Sequence, residues 1–302
     1  MAETAAAADT DVGTTPAALA ARHGLGVAGA RPGLVGYARQ LWAYRHFIGA
    51  YANARVISQF STAKLGRVWQ VLTPVTNALV YFLIFGVILG AGHGMDNFIG
   101  YLCAGVFIFT FTQSVVSAGI QAISGNLGLI RALHFPRASL PLALTMVQFQ
   151  HIIASMVVLA GIMLFTGEPL TWHWILVVPA LFLQSMFNAG LALAMARLGA
   201  KLTDLKQVMP FVLRTWMYAS GVLYSVTLFD RHIAPKSPLA AELLQYNPLL
   251  AYIELIRHAM MENVPLANPI GITWLIAAGW AVAAGLGGFI YFWRGEQEYG
   301  RG

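Results

Sequence analysis

The stretch VLTPVTNALVYFLIFGVIL, residues 71–89, contains no Asp, Glu, Lys or Arg and is mostly aliphatic or aromatic. About twenty such residues wound into a helix rise roughly 30 Å, the thickness of a bilayer's hydrocarbon core. The stretch therefore reads as a membrane span, extended to about 69–90 by its flanking Trp69. Pro74 lies near its start, where a helix has no intrahelical donor to lose. Comparable stretches recur at about 98–120, 140–166, 174–195, 211–229 and 272–293. Composition agrees, because the 302 residues are 58% hydrophobic and only 10% charged, whereas soluble domains carry roughly 25% charged residues. The expected fold class is an all-α integral membrane protein with six transmembrane helices, which excludes a soluble enzyme on a simple anchor.

The segments between the spans carry their own signals. Residues 1–33 are rich in Ala, Thr and Gly without periodicity and read as a disordered cytoplasmic tail, whose acidic opening does not match a signal peptide. From Leu34 to Ile48 apolar and aromatic residues recur at helical spacing with Arg39, Gln40 and Arg45 between them, the pattern of an amphipathic helix lying in the membrane interface. Residues 125–137 form a cytoplasmic apolar segment too short to span. Residues 230–269 are mixed and proline-containing. Their central piece, 249–261, has helix spacing but is also too short, so re-entrant or surface helices are expected outside the membrane between spans 5 and 6. Fourteen of the eighteen Lys and Arg fall on one side of this topology. Arg231, Lys236 and Arg257 fall on the other, and Arg214 lies inside the fifth span. That asymmetry puts both termini in the cytoplasm and accounts for the net charge of +6 without a nucleic-acid partner.

Several chemistries are missing from the sequence. There is no GxxxxGK[ST] phosphate loop, no HExxH, no GxSxG and no carboxylate pair within the spans. The eight His residues show no pair at i, i+3 or i+4, and the single cysteine, Cys103, sits in an apolar run. Arg214, one turn inside the span edge, reads as a snorkelling side chain. A proton-driven carrier would place charge inside the membrane, so energy for any transport is expected from a separate subunit. Gly279, Ala283 and Gly287 form a small-xxx-small row on the sixth span, read as helix packing.

Three segments carry a resemblance. RVISQFSTAKLGRVWQVLTPVTNALVYFLIFGVILG, residues 55–90, resembles the opening of the permease subunits of polysaccharide-exporting ABC transporters, in which an LG-x-x-W-x-x-L-x-P element (here Leu65, Gly66, Trp69, Leu72 and Pro74) leads into the first span. NLGLIRALHFPRASLPLA, residues 126–143, is similar to that family's cytoplasmic loop with its FPR sequence. YNPLLAYIELIRHAM, residues 246–260, is similar to its NP-containing external helix. All three occur in order across residues 34–294.

The resemblance implies an ABC exporter transmembrane domain over 34–302, acting as a homodimer with two copies of an ATP-binding subunit that holds ATP and Mg. No cofactor is expected in this chain and no enzymatic activity of its own. It implies that residues 125–137 form a coupling helix, with Leu129, Ile130, Arg131, His134, Phe135 and Arg137 as contacts to the ATPase. It further implies that Arg45, Arg55, Lys64 and Arg67 meet a lipid pyrophosphate at the inner leaflet. Sugars are held by aromatic faces and hydroxyl hydrogen bonds, which bind without charge and let a glycan slide. Tyr81, Phe85, Trp216, Tyr218 and Tyr224 on the first and fifth spans are the channel candidates, with Phe107 and Phe111 on the second. Within that family, the composition and long tail look most like actinobacterial, mycobacterial-type permeases of the bacterial cytoplasmic membrane that export lipid-linked galactan for the cell wall. O antigen or a teichoic acid is the nearest alternative cargo. An exporter of small drugs and a membrane enzyme acting on polyprenyl lipids are more distant readings.

Overall fold

The computed structural model describes residues 33–61, 64–88, 97–224, 237, 242, 244–296 and 299, and the described residues contain helices and turns but no strand. Two amphipathic helices joined by a one-residue bend come first, α1 (Leu34–Ala43) and α2 (Arg45–Phe60), together termed the hairpin for that bend alone. The sequence pattern anticipates one interfacial helix there, but the chain bends at Tyr44, and the basic stretch after it is helix too. Gly66 then adopts a φ of +49°, a left-handed turn that favours glycine and lets the chain rise into the membrane. The first span follows as α3 (Trp69–Tyr81), whose hydrogen bonding widens to a π-helix over Phe82–Ile88. Because α3 begins at Trp69, Pro74 occupies its second turn rather than its first. It therefore removes the donor that would bond the carbonyl of Gln70.

Next come α4 (Phe98–Ile120), the short α5 (Leu127–Ala132), α6 (Ser139–Phe165) and α7 (Val177–Lys201), the last preceded by a 3-10 turn at Trp172–Leu176. The set is completed by α8 (Leu205–Tyr218), α9 (Pro248–Met260) and α10 (Ile270–Arg294). Among the described residues, five helical segments are long and apolar enough to cross a membrane: Trp69–Ile88, Phe98–Ile120, Ser139–Phe165, Trp172–Lys201 and Ile270–Arg294. The expected fifth span at 211–229 is represented by α8, which starts earlier and has 14 residues, about 21 Å of rise, short of a bilayer core. Residues 225–229 lie outside the described residues, as do 1–32 of the expected tail and most of 230–243.

Helix α4 is the buried centre of the bundle, while most of α3's side chains are exposed. Backbones approach most closely where α10 crosses α7. A Cβ added to Gly190 would overlap the carbonyl of Ala284, and one added to Gly288 would overlap the carbonyl of Gly190. With no hydrophobic drive between helices inside a membrane, such close backbone contact is what holds them together. The packing row of α10 is thus Ala277, Ala281, Ala284 and Gly288. The row anticipated from the sequence, Gly279, Ala283 and Gly287, faces outward with open space at both glycines. The two rows differ by about one position in 3.6, enough to rotate a residue off the contact face.

Helix α9 is not a surface helix. It is buried from Leu249 to Arg257, packed against α4, α7 and α10. Asn247 caps it by accepting from the amide of Leu249 at 3.0 Å, with Pro248 at the first helical position. The same side chain donates to the carbonyl of Ala219 at 2.9 Å and to Ser220 Oγ at 3.1 Å, and accepts from Trp216 Nε1 at 3.1 Å. Asn247 therefore ties the end of α8 to the start of α9. Arg257, counted in the sequence among the charges on the side opposite the termini, is fully buried. Its guanidinium donates to the carbonyls of Tyr101, Gly221 and Val222 at 3.1, 3.0 and 3.0 Å, and lies 3.3 Å from the centroid of the Tyr101 ring. Three charge-assisted bonds and a cation–π contact replace the water it has lost.

Candidate functional site

Two features stand out: a joint at the hairpin end of the bundle, and a polar groove beside the first span. The joint is built around Tyr37, which is 1% exposed. Its hydroxyl donates to Glu296 Oε2 at 2.7 Å and accepts from the amide of Ala138 at 3.1 Å. The other carboxylate oxygen of Glu296 accepts from the amide of Arg137 at 3.1 Å, and the Arg137 guanidinium donates to the Glu296 carbonyl. Three distant pieces of chain, α1, the loop after α5 and the turn after α10, close on one another here. Burial pushes the Glu296 carboxyl above its ordinary range, and the Tyr37 hydroxyl and Arg137 pull it part of the way back. Burial, with the neighbouring Glu296, raises the Tyr37 hydroxyl far above its usual value, so it is a neutral donor.

The same loop is gripped by α2. Phe135 packs on Phe47 with ring centroids 5.2 Å apart, and the Tyr44 hydroxyl donates to the carbonyl of His134 at 3.3 Å. Asn126 Oδ1 accepts from the Tyr51 hydroxyl at 2.7 Å and from the Arg55 guanidinium at 2.8 Å. The coupling candidates consequently divide in two. Ile130 is buried, Leu129 and Phe135 are half-buried, and Arg137 is engaged with Glu296, all holding the segment to its own chain. Leu127, Arg131, Leu133 and His134 are exposed and form the outward surface.

Of the basic residues anticipated at a lipid pyrophosphate, Arg55 bonds Asn126 and Tyr51, whereas Arg45 is exposed with its guanidinium 5.3 Å from the Trp42 ring centroid. Lys64 is exposed in the turn before α3, and the Arg67 side chain lies outside the described residues. Arg45 and Arg55 are ten residues apart on one helix, about 15 Å along its axis, and are not brought to a common point.

The aromatic candidates fall in three settings. Tyr81 and Phe85 are half-buried and stacked, with centroids 6.3 Å apart, where α3 widens. Phe107 and Phe111 are buried in α4, the latter against Phe149. Trp216 is bonded to Asn247, Tyr218 is exposed, and the Tyr224 hydroxyl donates to the Tyr218 carbonyl while its own carbonyl accepts from Tyr101.

Phe107 and Phe111 also line the groove, a cavity of about 230 Å³ between α3, α4 and α6. Gln70, Thr73 and Asn77 face it from α3, Thr110 and Ser114 from α4, and Gln148, His151 and Ser155 from α6, with Trp69 at one rim. None of its lining residues is Asp, Glu, Lys or Arg. It lies in the hairpin half of the bundle, and α2 touches its wall where His151 Nε2 and Gln59 Oε1 are hydrogen-bonded at 3.1 Å. Neither charge nor a motif marks these residues in the sequence, since none is Asp, Glu, Lys or Arg and His151 has no His partner at i, i+3 or i+4. The signal was there nonetheless: 70, 73 and 77 on α3, and 148, 151 and 155 on α6, share the spacing i, i+3, i+7 that places residues on one helical face. Among the described residues there is no His, Cys, Asp and Glu group able to hold a metal.

Comparison with known proteins adds the context for these features. The O-antigen export system permease protein RfbA of Myxococcus xanthus is 24% identical over 233 residues, covering 77% of this chain and 87% of that protein. The RfbA permease of Klebsiella pneumoniae is 22% identical over 195 residues, covering 63% and 74%. The polysialic acid transport protein KpsM of Escherichia coli is 23% identical over 216 residues, covering 68% and 78%. The family model for ABC-2 type transporters matches residues 48–261, from α2 through α9. With several membrane-crossing helices and a family match over most of its length, this chain is a multi-pass membrane protein that belongs to the ABC-2 type transporter family.

Proposed function

We propose that this chain is the transmembrane subunit of an ATP-driven exporter that carries a polyprenyl-pyrophosphate-linked polysaccharide, with galactan preferred, across the bacterial cytoplasmic membrane. The observation that carries the reading is that relatives named for O-antigen and polysialic acid export align with 77% and 68% of the chain, and the ABC-2 family model matches residues 48–261. Export of O antigen is the second reading, favoured by the names of the RfbA relatives. Both termini face the cytoplasm in this proposal, so the hairpin end meets the inner leaflet.

The exposed residues Leu127, Arg131, Leu133 and His134 are the surface offered to a separate ATPase, which supplies ATP and Mg. The buried residues of the same segment pass its displacement to the hairpin through Phe47, Tyr51 and the Tyr37 joint. Two copies of the chain associate through the exposed apolar faces of α3 and α8, such as Val75, Leu79, Phe211 and Val212, and Tyr81, Phe85 and Tyr218 then border the path of the glycan. The chain has no catalytic chemistry of its own.

The test is to purify the chain with the ATPase encoded beside it, and to follow ATP hydrolysis and uptake of labelled lipid-linked galactan into inverted vesicles. ATP-dependent galactan uptake is the expected result. Uptake of lipid-linked O antigen alone would replace the cargo, and failure of the two proteins to associate would defeat the exporter reading.

A further inference from the structure

We infer that the groove between α3, α4 and α6 binds one uncharged, hydroxyl-rich ring, a sugar of the carrier-linked glycan, an inference that rests on the export function proposed above. Its location demands an explanation. An unpaired amide or hydroxyl facing hydrocarbon is costly, so polar side chains on spans are normally paired or turned toward a polar space. Here three separate spans turn theirs to the same cavity, with Asn77 from α3, Ser114 from α4 and Gln148 from α6. Pro74 sharpens the case. It has no N–H to donate to the Gln70 carbonyl, and both residues line the groove.

The chemistry of the lining selects the ligand class. Side-chain amides offer donors and acceptors together, which matches a hydroxyl, itself both donor and acceptor. Apart from the imidazole of His151, which is hydrogen-bonded to Gln59, no ionisable side chain lines the cavity, so it holds no permanent counter-charge for an ion. Phe107 and Phe111 supply aromatic surface for the C–H face of a ring. The volume of about 230 Å³ lies below the usual range for drug-sized ligands and suits one ring rather than an oligosaccharide.

Position completes the argument. The groove begins at Trp69 and Gln70, where the first span starts, and Lys64 lies in the turn just before it. A lipid phosphate held at that turn would leave its attached sugar within reach of the groove. The same polyol chemistry is found in an inositol phospholipid headgroup, so a test must separate the two sources.

The chain is purified with its ATPase in nanodiscs of phosphatidylethanolamine and phosphatidylglycerol. It is titrated with polyprenyl pyrophosphate bearing one galactose and, separately, with unglycosylated polyprenyl pyrophosphate. The wild type is expected to prefer the galactosylated lipid by about tenfold, the net worth of one or two hydrogen bonds. Asn77→Leu with Gln148→Leu is expected to erase that preference while leaving binding of the unglycosylated lipid unchanged. Thr73→Val, which removes a single hydroxyl at constant shape and so guards against a folding failure, is expected to reduce the preference roughly threefold.

A wild-type preference that persists in both variants would overturn the groove assignment and leave the export reading standing. Absence of binding of either lipid to the wild type would overturn both. Competition by phosphatidylinositol, seen in the wild type and lost in the variants, would assign the groove to a membrane-lipid headgroup and overturn the glycan.

Discussion

Replacing Tyr37 with Phe removes one oxygen and nothing else, yet it strikes the point where three distant segments meet. The hydroxyl satisfies two groups, Glu296 Oε2 at 2.7 Å and the Ala138 amide at 3.1 Å. In the variant both lose a partner in a place that is nearly sealed from water, where Tyr37 is 1% exposed. A buried polar group left unpaired costs about 1–3 kcal/mol. Glu296 keeps its bond from the Arg137 amide, so the sum is expected at the lower end, about 2–4 kcal/mol.

The chain carries a convenient reporter, since its single cysteine, Cys103, is buried in α4. A maleimide dye that fluoresces on reaction with thiols will therefore follow thermal opening in detergent. The midpoint is expected to fall by several degrees in Tyr37→Phe, and Glu296→Gln is expected to do less, because an amide still offers an acceptor. The double variant should be less destabilised than the two single effects added together, by at least about 0.5–1 kcal/mol, as expected for partners in one network. A midpoint within a degree of the wild type, or strict additivity, would refute the reasoning.

Other expectations can be checked with the same assay. Burial raises the Glu296 carboxyl above its ordinary 4.5, so the folded state holds a proton that the unfolded chain has released. That contribution is complete below 4.5 and disappears as pH rises through the raised value, so the melting midpoint should increase on mild acidification, and less so in Glu296→Gln. Gly288→Ala should be strongly destabilising because its Cβ would overlap the Gly190 backbone, whereas Gly279→Ala and Gly287→Ala, with open space around them, should be neutral or slightly stabilising; equal effects at all three would count against the helix contact described above. Arg257→Met should abolish folding or cost about 3–5 kcal/mol, since three buried carbonyls lose their donors, and Arg257→Lys should recover only part of that, as judged by yield and midpoint.

Much of the architecture was legible in the sequence where a single property governs. The span at 98–120 coincides with α4 because charge-free length alone defines it. Interruptions were harder. The basic and acidic residues Lys201, Asp204 and Lys206 suggest a long polar linker, but only residues 202–204 form the turn, and α8 starts directly after it with Pro210 inside the helix. The bend at Tyr44 has neither glycine nor proline to announce it.

The FPR and NP sequences were recognisable, and the structure supplies their physical content. Phe135 packs on Phe47, Arg137 holds Glu296, and Asn247 both caps α9 and ties it to α8. Pairing across the whole chain was out of reach, since nothing local in Tyr37 marks Glu296 as its partner. Arg257 shows the same limit in reverse. A charge in a helical segment too short to span suggests a re-entrant or surface helix with its charge outside the membrane, and only its three carbonyl acceptors reveal why it can be buried.

The Tyr37–Glu296 bond joins residues 259 positions apart. At a synthesis rate of about 5–20 residues per second, roughly ten to fifty seconds separate the emergence of one partner from that of the other. Throughout that interval the Tyr37 hydroxyl has no carboxylate to donate to, and α1 lacks its tie to the turn after α10 while the later helices are made. The joint thus closes only after α10 has been made. A chain stopped before Glu296 would carry all five of the membrane-crossing helices among the described residues and still lack the carboxylate that ties Tyr37 to the far end of the bundle.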